Sequence, residues 1–294
     1  MYAFLTSIAT VAAYAHGAAA WGNLGHETVG YVAQAFLAPK ALSFVQSSLG
    51  STYNKSLGVA ATWADSVKYT SAYTWSAPYH FVDANDSPLD GSCSVEQSRD
   101  CSSGTCILSA IANYTTRIAE TSLSATQRQE ALKFLDTGMV EKNIDDNHGG
   151  EVQTYAADLI NEIKNGAYAS DTDDWLSCTS TTEPASKRFF SARPPTIEAE
   201  VKQLLAGGAD ELERRSTITP LECPLVWARE SNAYCCSTVF SYTSGEDLCT
   251  SSYFTNAVPV SIIHGWQIDL QLAKQGYRLA AWLNVIFDGE TDLP

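Results

Sequence analysis

The sequence predicts an all-α fold, and three observations carry that prediction. Apolar residues recur at helical spacing in several stretches. Few segments alternate with period two for long. Pro39 and Gly166 stand just past the ends of two of the apolar stretches, where a helix is expected to stop. With 294 residues the chain is long enough for a real core, since a domain of about 300 residues buries about three quarters of its unfolded surface. We expect a single helical domain over 21–294, preceded by a leader over 1–20.

The elements follow in chain order. Residues 1–20 contain no Asp, Glu, Lys or Arg, are apolar from Ala3 to Ala13, and end in Ala18, Ala19 and Ala20. They read as a secretory signal with a small-residue cleavage site, without the usual positive start. Cleavage after Ala20 leaves a secreted, extracellular chain beginning at Trp21. No later run of about 18 apolar residues is long enough to span a bilayer. Val29, Val32, Ala33, Phe36 and Leu37 form the first stripe. Ile107, Leu108, Ile111, Ala112, Thr115 and Ile118 form a second. Leu132 and Leu135 mark a short third segment, and Tyr155, Leu159, Ile160 and Ile163 a fourth. Leu272, Leu279, Leu283 and Ile286 line a strong C-terminal helix. Between them, Pro184 to Glu222 reads as an irregular, solvated insertion. It is broken by Pro194-Pro195 and Gly207-Gly208, and its six basic residues are balanced by six acidic ones.

Charge and cysteine content narrow the function. The net charge is −15, which excludes a binder that attracts nucleic acid through its overall field. If the chain handles a polyanion, a bound metal is the obvious source of local positive charge. Eight cysteines in an exported chain suggest disulfides, though they allow 105 pairings. Cys101 and Cys106 are spaced to close a small loop through Gly104. No CxxC pair supports a zinc ribbon. Asn54-Lys-Ser56 and Asn113-Tyr-Thr115 are glycosylation sequons.

Beyond the leader, the histidines are His26, His80, His148 and His264. No HExxH, P-loop, GxSxG or GxGxxG motif stands out. Taken singly, each histidine reads as a hydrogen-bonded structural residue. Several motifs taken together read differently: Trp21-Gly-Asn-Leu-Gly-His26, Ala-Thr-Trp-Ala-Asp65, Pro78-Tyr-His80-Phe81, Arg99-Asp-Cys101 with Cys106, Ile111-Ala-Asn113-Tyr-Thr115, and Ala273-Lys-Gln-Gly-Tyr-Arg-Leu-Ala-Ala-Trp282. In this order they resemble the fungal zinc-dependent, single-strand-specific nucleases, the nuclease S-one / P-one family. The scaffold is shared more distantly with zinc phospholipase C. The resemblance runs from Trp21 to Leu135, resumes over Gly149 to Tyr168, and returns near Cys223 to Val258 and Ile268 to Ile286.

The resemblance implies a helical cleft holding three zinc ions. Trp21 would bind through its freed α-amine, whose reference pKa of about 7.7–8.0 lets a metal displace the proton. His26 would share that ion, and Asp65 and His80 would hold another. Lys68 matches a basic position near the substrate phosphate, and Phe81 an aromatic that stacks a nucleobase. Asp83 is placed at the same substrate-binding edge. The implied reaction is hydrolysis of single-stranded DNA and RNA to 5′-phosphate products, with 3′-nucleotidase activity. Asp65 and Lys68 would serve the chemistry, and the chain would be monomeric. By resemblance, Cys101 pairs with Cys106 and Cys93 with Cys236.

The sequence departs from the family after Leu135. The family continues with a His-x-x-x-Asp, a Gln-Pro-Leu-His and a second His-x-x-x-Asp. Here Leu135 runs straight into Asp136-Thr137, which matches only the close of the last motif and leaves Asp136 as the one candidate ligand. A skipped coding segment or a degenerate paralogue accounts for the gap. The chain as written is then expected to hold at most one zinc tightly and to hydrolyse strands slowly. A catalytically impaired secreted remnant is the alternative function. His148, beside Asp145 and Asp146, and His264 read as poor replacements.

Overall fold

The structure is a computed structural model, and it describes residues 22–133, 151–176, 222–234, 267–291 and 293. Among them every regular element is helical, apart from one isolated bridge between Ser87 and Ser92. The all-α prediction therefore holds. Trp21, Leu135, Asp136, His148, His264, Cys236, the leader and the Pro184–Leu221 stretch lie outside the described residues.

Helix α1 (Asn23–Ala35) carries the first stripe, with Val29, Val32 and Ala33 buried and Phe36 buried just past its end. It packs against α3 (Leu57–Ala60), α8 (Val152–Asn165) and α11 (Gln267–Asp288), so it sits in the middle of the molecule. The approach is close at two glycines. A Cβ on Gly30 would lie 2.7 Å from the backbone of Leu57 and Gly58, and one on Gly276 of α11 would lie 2.5 Å from Val32. Larger residues at either position would push the helices apart.

Pro39 ends the first stripe and also opens the next helix, α2 (Pro39–Leu49). Proline suits a first helical turn because its missing N–H has no partner there. The start of α2 is held by the end of α11. Asp288 accepts from the Lys40 and Ala41 N–H groups at 3.2 and 2.9 Å. Asn284, fully buried, accepts from the Ala38 N–H at 2.7 Å and donates to the Phe36 carbonyl at 3.0 Å. These bonds satisfy orphan helix-end groups, those of Ala38 and Phe36 being buried.

Past α3, the chain makes a short α4 (Trp63–Val67) and a 3-10 helix, Thr74–His80, then two brief turns, Pro88–Asp90 and α5 (Gln97–Asp100). The second stripe becomes α6 (Ile107–Ala119), burying Leu108, Ala112, Thr115 and Ile118. Its start is fixed by the Cys101–Cys106 disulfide, Cα atoms 5.6 Å apart. Cys93 is also disulfide-bonded, to a cysteine outside the described residues. The short third segment is α7 (Ala125–Lys133), with Leu132 buried, and the fourth is α8, burying Tyr155, Leu159 and Ile163. A single turn, α9 (Thr172–Trp175), follows.

Helix α10 (Glu222–Tyr234) has no counterpart in the sequence reading. Arg229 donates to the Val95 carbonyl at 2.8 Å and Asn232 to Asp86 at 2.7 Å. Its Leu225 joins Val95, Leu108, Cys101 and Cys106 in a small apolar cluster beside the main core. Helix α11 is the spine of that main core. Leu272, Tyr277, Trp282, Leu283 and Ile286 are buried along it, and Leu279 is partly buried.

Candidate functional site

The candidate centre is built on Asp65. This residue lies in the first turn of α4. Three side chains meet its carboxylate. His26, in the first turn of α1, places Nε2 at 2.9 Å from Oδ2. Lys68, the residue that ends α4, donates to Oδ1 at 2.5 Å. His80, at the end of the 3-10 helix, places Nδ1 at 3.1 Å from Oδ1. Three separate segments thus deliver four polar groups to one point, with His26 only 2% exposed.

Electrostatics fix the charge there. Burial alone pushes the Asp65 carboxyl up, but the contacts with His26, His80 and Lys68 outweigh it and hold the group far below the usual carboxylate range. Asp65 is therefore ionised at any ordinary pH. An ionised carboxylate can only accept, so the His26 Nε2 carries the proton in this contact. Glu27, next in sequence, sits half-buried with its carboxyl pushed up by burial and partly drawn back by His26.

The histidines have capacity left over. His26 Nδ1 and His80 Nε2 are buried without a hydrogen-bond partner among the described residues, and His80 Nδ1 meets Asp65 at ion-pair distance but off hydrogen-bond geometry. Buried polar atoms ordinarily find partners, and an imidazole whose one nitrogen faces a carboxylate is suited to offer the other to a metal. Among the described residues no three His, Cys, Asp or Glu side chains surround a common point as metal ligands. The donor chemistry of His26, Asp65 and His80 nevertheless fits zinc, which takes imidazole and carboxylate ligands.

The surroundings are aromatic. Phe81, directly after His80, is 49% exposed and so is not a core residue. Asp83 is exposed two residues further on. Tyr69 and Trp75 are exposed too. Behind them, Trp63 meets Tyr73 edge-on at 5.2 Å, and Lys133 of α7 lies 3.6 Å above the Trp63 ring. Glu27, Tyr69 and Lys133 escaped the sequence reading. Tyr69 and Glu27 left a signal there, by directly following Lys68 and His26, and Lys133 left none. Asn54 and Asn113 are both exposed, as acceptors for glycans must be.

The structure thus brings together His26, Asp65, Lys68 and His80, with Phe81 at the edge. Trp21 and Asp136 are outside the described residues. A helical chain with a histidine-flanked carboxylate and an aromatic rim is the setting, and comparison with known proteins supplies the class. The S1/P1 Nuclease family model matches residues 21–136 and 195–288. The chain belongs to the S1/P1 nuclease family. It is 33% identical to nuclease S1 of Aspergillus oryzae, over 90% of this chain and 91% of that protein. It is 34% identical to nuclease P1 of Penicillium citrinum, over 92% and 99%. Endonuclease 2 of Arabidopsis thaliana is 30% identical over 91% and 90%. The family match breaks after Asp136, one residue past the point where the ligand motifs were expected. No helix among the described residues is long and apolar enough to cross a membrane.

Proposed function

We propose that this chain is a secreted, zinc-dependent hydrolase of single-stranded DNA and RNA, giving 5′-phosphate products and acting also on 3′-nucleotides, with low turnover. The observation that supports this most is the ionised Asp65 held between two buried histidines and Lys68, beside the exposed Phe81.

Each residue has a task. His26, Asp65 and His80 would hold zinc, with Trp21 and Asp136 as further ligands. Zinc, when bound, supplies a nucleophile by lowering the pKa of water from 15.7 toward about 7, and offsets charge on the phosphate. Lys68 neutralises a substrate phosphate next to Asp65, which its chain length and its 14% side-chain exposure allow. Phe81 stacks an unpaired base, an interaction worth about 1–3 kcal/mol. A duplex keeps its bases stacked inside, so this contact favours single strands.

A second reading, a remnant that binds nucleotides without cleaving them, is favoured by one observation. No His-x-x-x-Asp occurs anywhere in the sequence, and catalytic zinc usually takes three protein ligands. Expressing residues 21–294, counting zinc per chain after dialysis, and assaying single-stranded DNA cleavage beside nuclease P1 separates the two. Slow zinc-dependent cleavage with about one zinc supports the hydrolase. Binding without zinc-dependent cleavage supports the remnant. Three zincs with rates like those of nuclease P1 would show that other residues complete the site.

A further inference from the structure

Among the described residues, the large hydrophobic side chains left exposed are Tyr69 at 75%, Trp75 at 49% and Phe81 at 49%. Singly scattered apolar residues on a surface need no explanation. These are not scattered: Tyr69 and Trp75 lie on the short segment that joins Asp65 to His80, and Phe81 directly follows it. Two of them occupy matching positions. Tyr69 directly follows Lys68 and Phe81 directly follows His80, and both Lys68 and His80 contact the same Asp65 carboxylate oxygen. Trp75 differs, since its indole donates to the Ala72 carbonyl and its ring is flanked by Tyr73 and Tyr79 at 6.3 and 6.2 Å.

We propose that Tyr69 is a second base-stacking residue, so that the Asp65 centre engages two neighbouring unpaired bases, one on Phe81 and one on Tyr69. This rests on the reading of the centre as a single-strand site. The Lys68 ammonium lies 5.4 Å from the centre of the Tyr69 ring, a cation–π distance. Lys68 is itself tied to Asp65, so the ring is held against the centre. A base on Tyr69 would then adjoin the phosphate that Lys68 neutralises. The ligand is a dinucleotide unit of single strand. A lone nucleotide would use one ring only.

The test uses residues 21–294 with zinc present. Affinities for thymidine monophosphate and for a short oligothymidylate are measured by calorimetry in wild type, Tyr69→Ala, Tyr69→Phe and Phe81→Ala. The ratio of oligonucleotide to mononucleotide affinity should fall about 5- to 150-fold in Tyr69→Ala, the range for losing one stack. Tyr69→Phe keeps a ring and should keep the ratio. Phe81→Ala should weaken both ligands together. If Tyr69→Ala leaves the ratio unchanged while Phe81→Ala weakens binding, the second stack is overturned and the single-strand reading stands. If wild type binds the single strand no better than duplex, both are overturned.

Discussion

Asp65 is a residue whose value depends on its neighbours. Removing its charge leaves His26, His80 and Lys68 facing one another around a neutral amide. We predict that Asp65→Asn lowers zinc affinity at least about 100-fold, since even the loss of an outer-shell partner costs 10–100-fold. Equilibrium dialysis against wild type checks this, and circular dichroism confirms the fold. At this scale the sequence was legible only through its resemblance to a family. His26, Asp65 and His80 lie far apart, on no common helical face. Packing brings them together, and no spacing rule can show it. Lys68 was within reach of local reasoning, being three residues past Asp65. Lys133 was not, because nothing in its neighbours' identities marks it as close to the centre.

Elements are where the site is either held or lost. Helix α1 carries His26, and α4, just past α3, carries Asp65. They approach across the Gly30–Gly58 contact, where added atoms meet backbone. Gly30→Ala should cost about 1–3 kcal/mol by overpacking and should also weaken zinc binding, by moving His26 off Asp65. Urea unfolding and dialysis read the two effects. Helix α10 depends on charge. Glu230 accepts from Lys274 at 2.5 Å and from the buried Arg278. Burial raises the Glu230 carboxyl, and the two cations pull it below its usual range. The folded pKa is the lower one. This contribution is therefore present above about pH 4.5, the unfolded value, and is lost as pH falls through the folded value. Glu230→Gln should destabilise by about 2–4 kcal/mol at pH 7, because Arg278 is left buried without its anion. It should also flatten the acid limb of a thermal-unfolding profile. The stripes of α1, α6, α8 and α11 were readable because one face of each meets the core. α2 was not read because Pro39 looked only like a stop. In α10 the run Glu-Cys-Pro-Leu-Val-Trp-Ala-Arg-Glu-Ser has no clean apolar stripe, and its place is set by polar bonds to Asp86 and Val95.

For the whole molecule, the charge of −15 and the local cation Lys68 oppose each other. A single strand engaging about one lysine gives a salt slope of only about −0.7, and screening also relieves repulsion from the acidic surface. Oligonucleotide affinity should thus change less than about threefold between about 50 and 200 mM salt. Fluorescence anisotropy titrations at the two salt levels check it. A steep loss would mean that a larger basic surface takes part.

The clasp between the two ends of the chain sets a timetable. Ala38 is bonded to Asn284, 246 positions later, and α1 rests on α11. A ribosome adding about 5–20 residues per second needs on the order of ten to fifty seconds to cover that interval. Until then α1 has synthesised neighbours in α3 and α8 but no spine to settle on, and part of its stripe must be shielded by something else. Helix α1, which carries His26, completes its packing only when the last helix arrives. Any metal held by His26, Asp65 and His80 would then be acquired at the end of the chain's making, in whichever compartment receives α11. A newborn chain halted before residue 267 carries the candidate ligands His26, Asp65 and His80 without the means to hold them together.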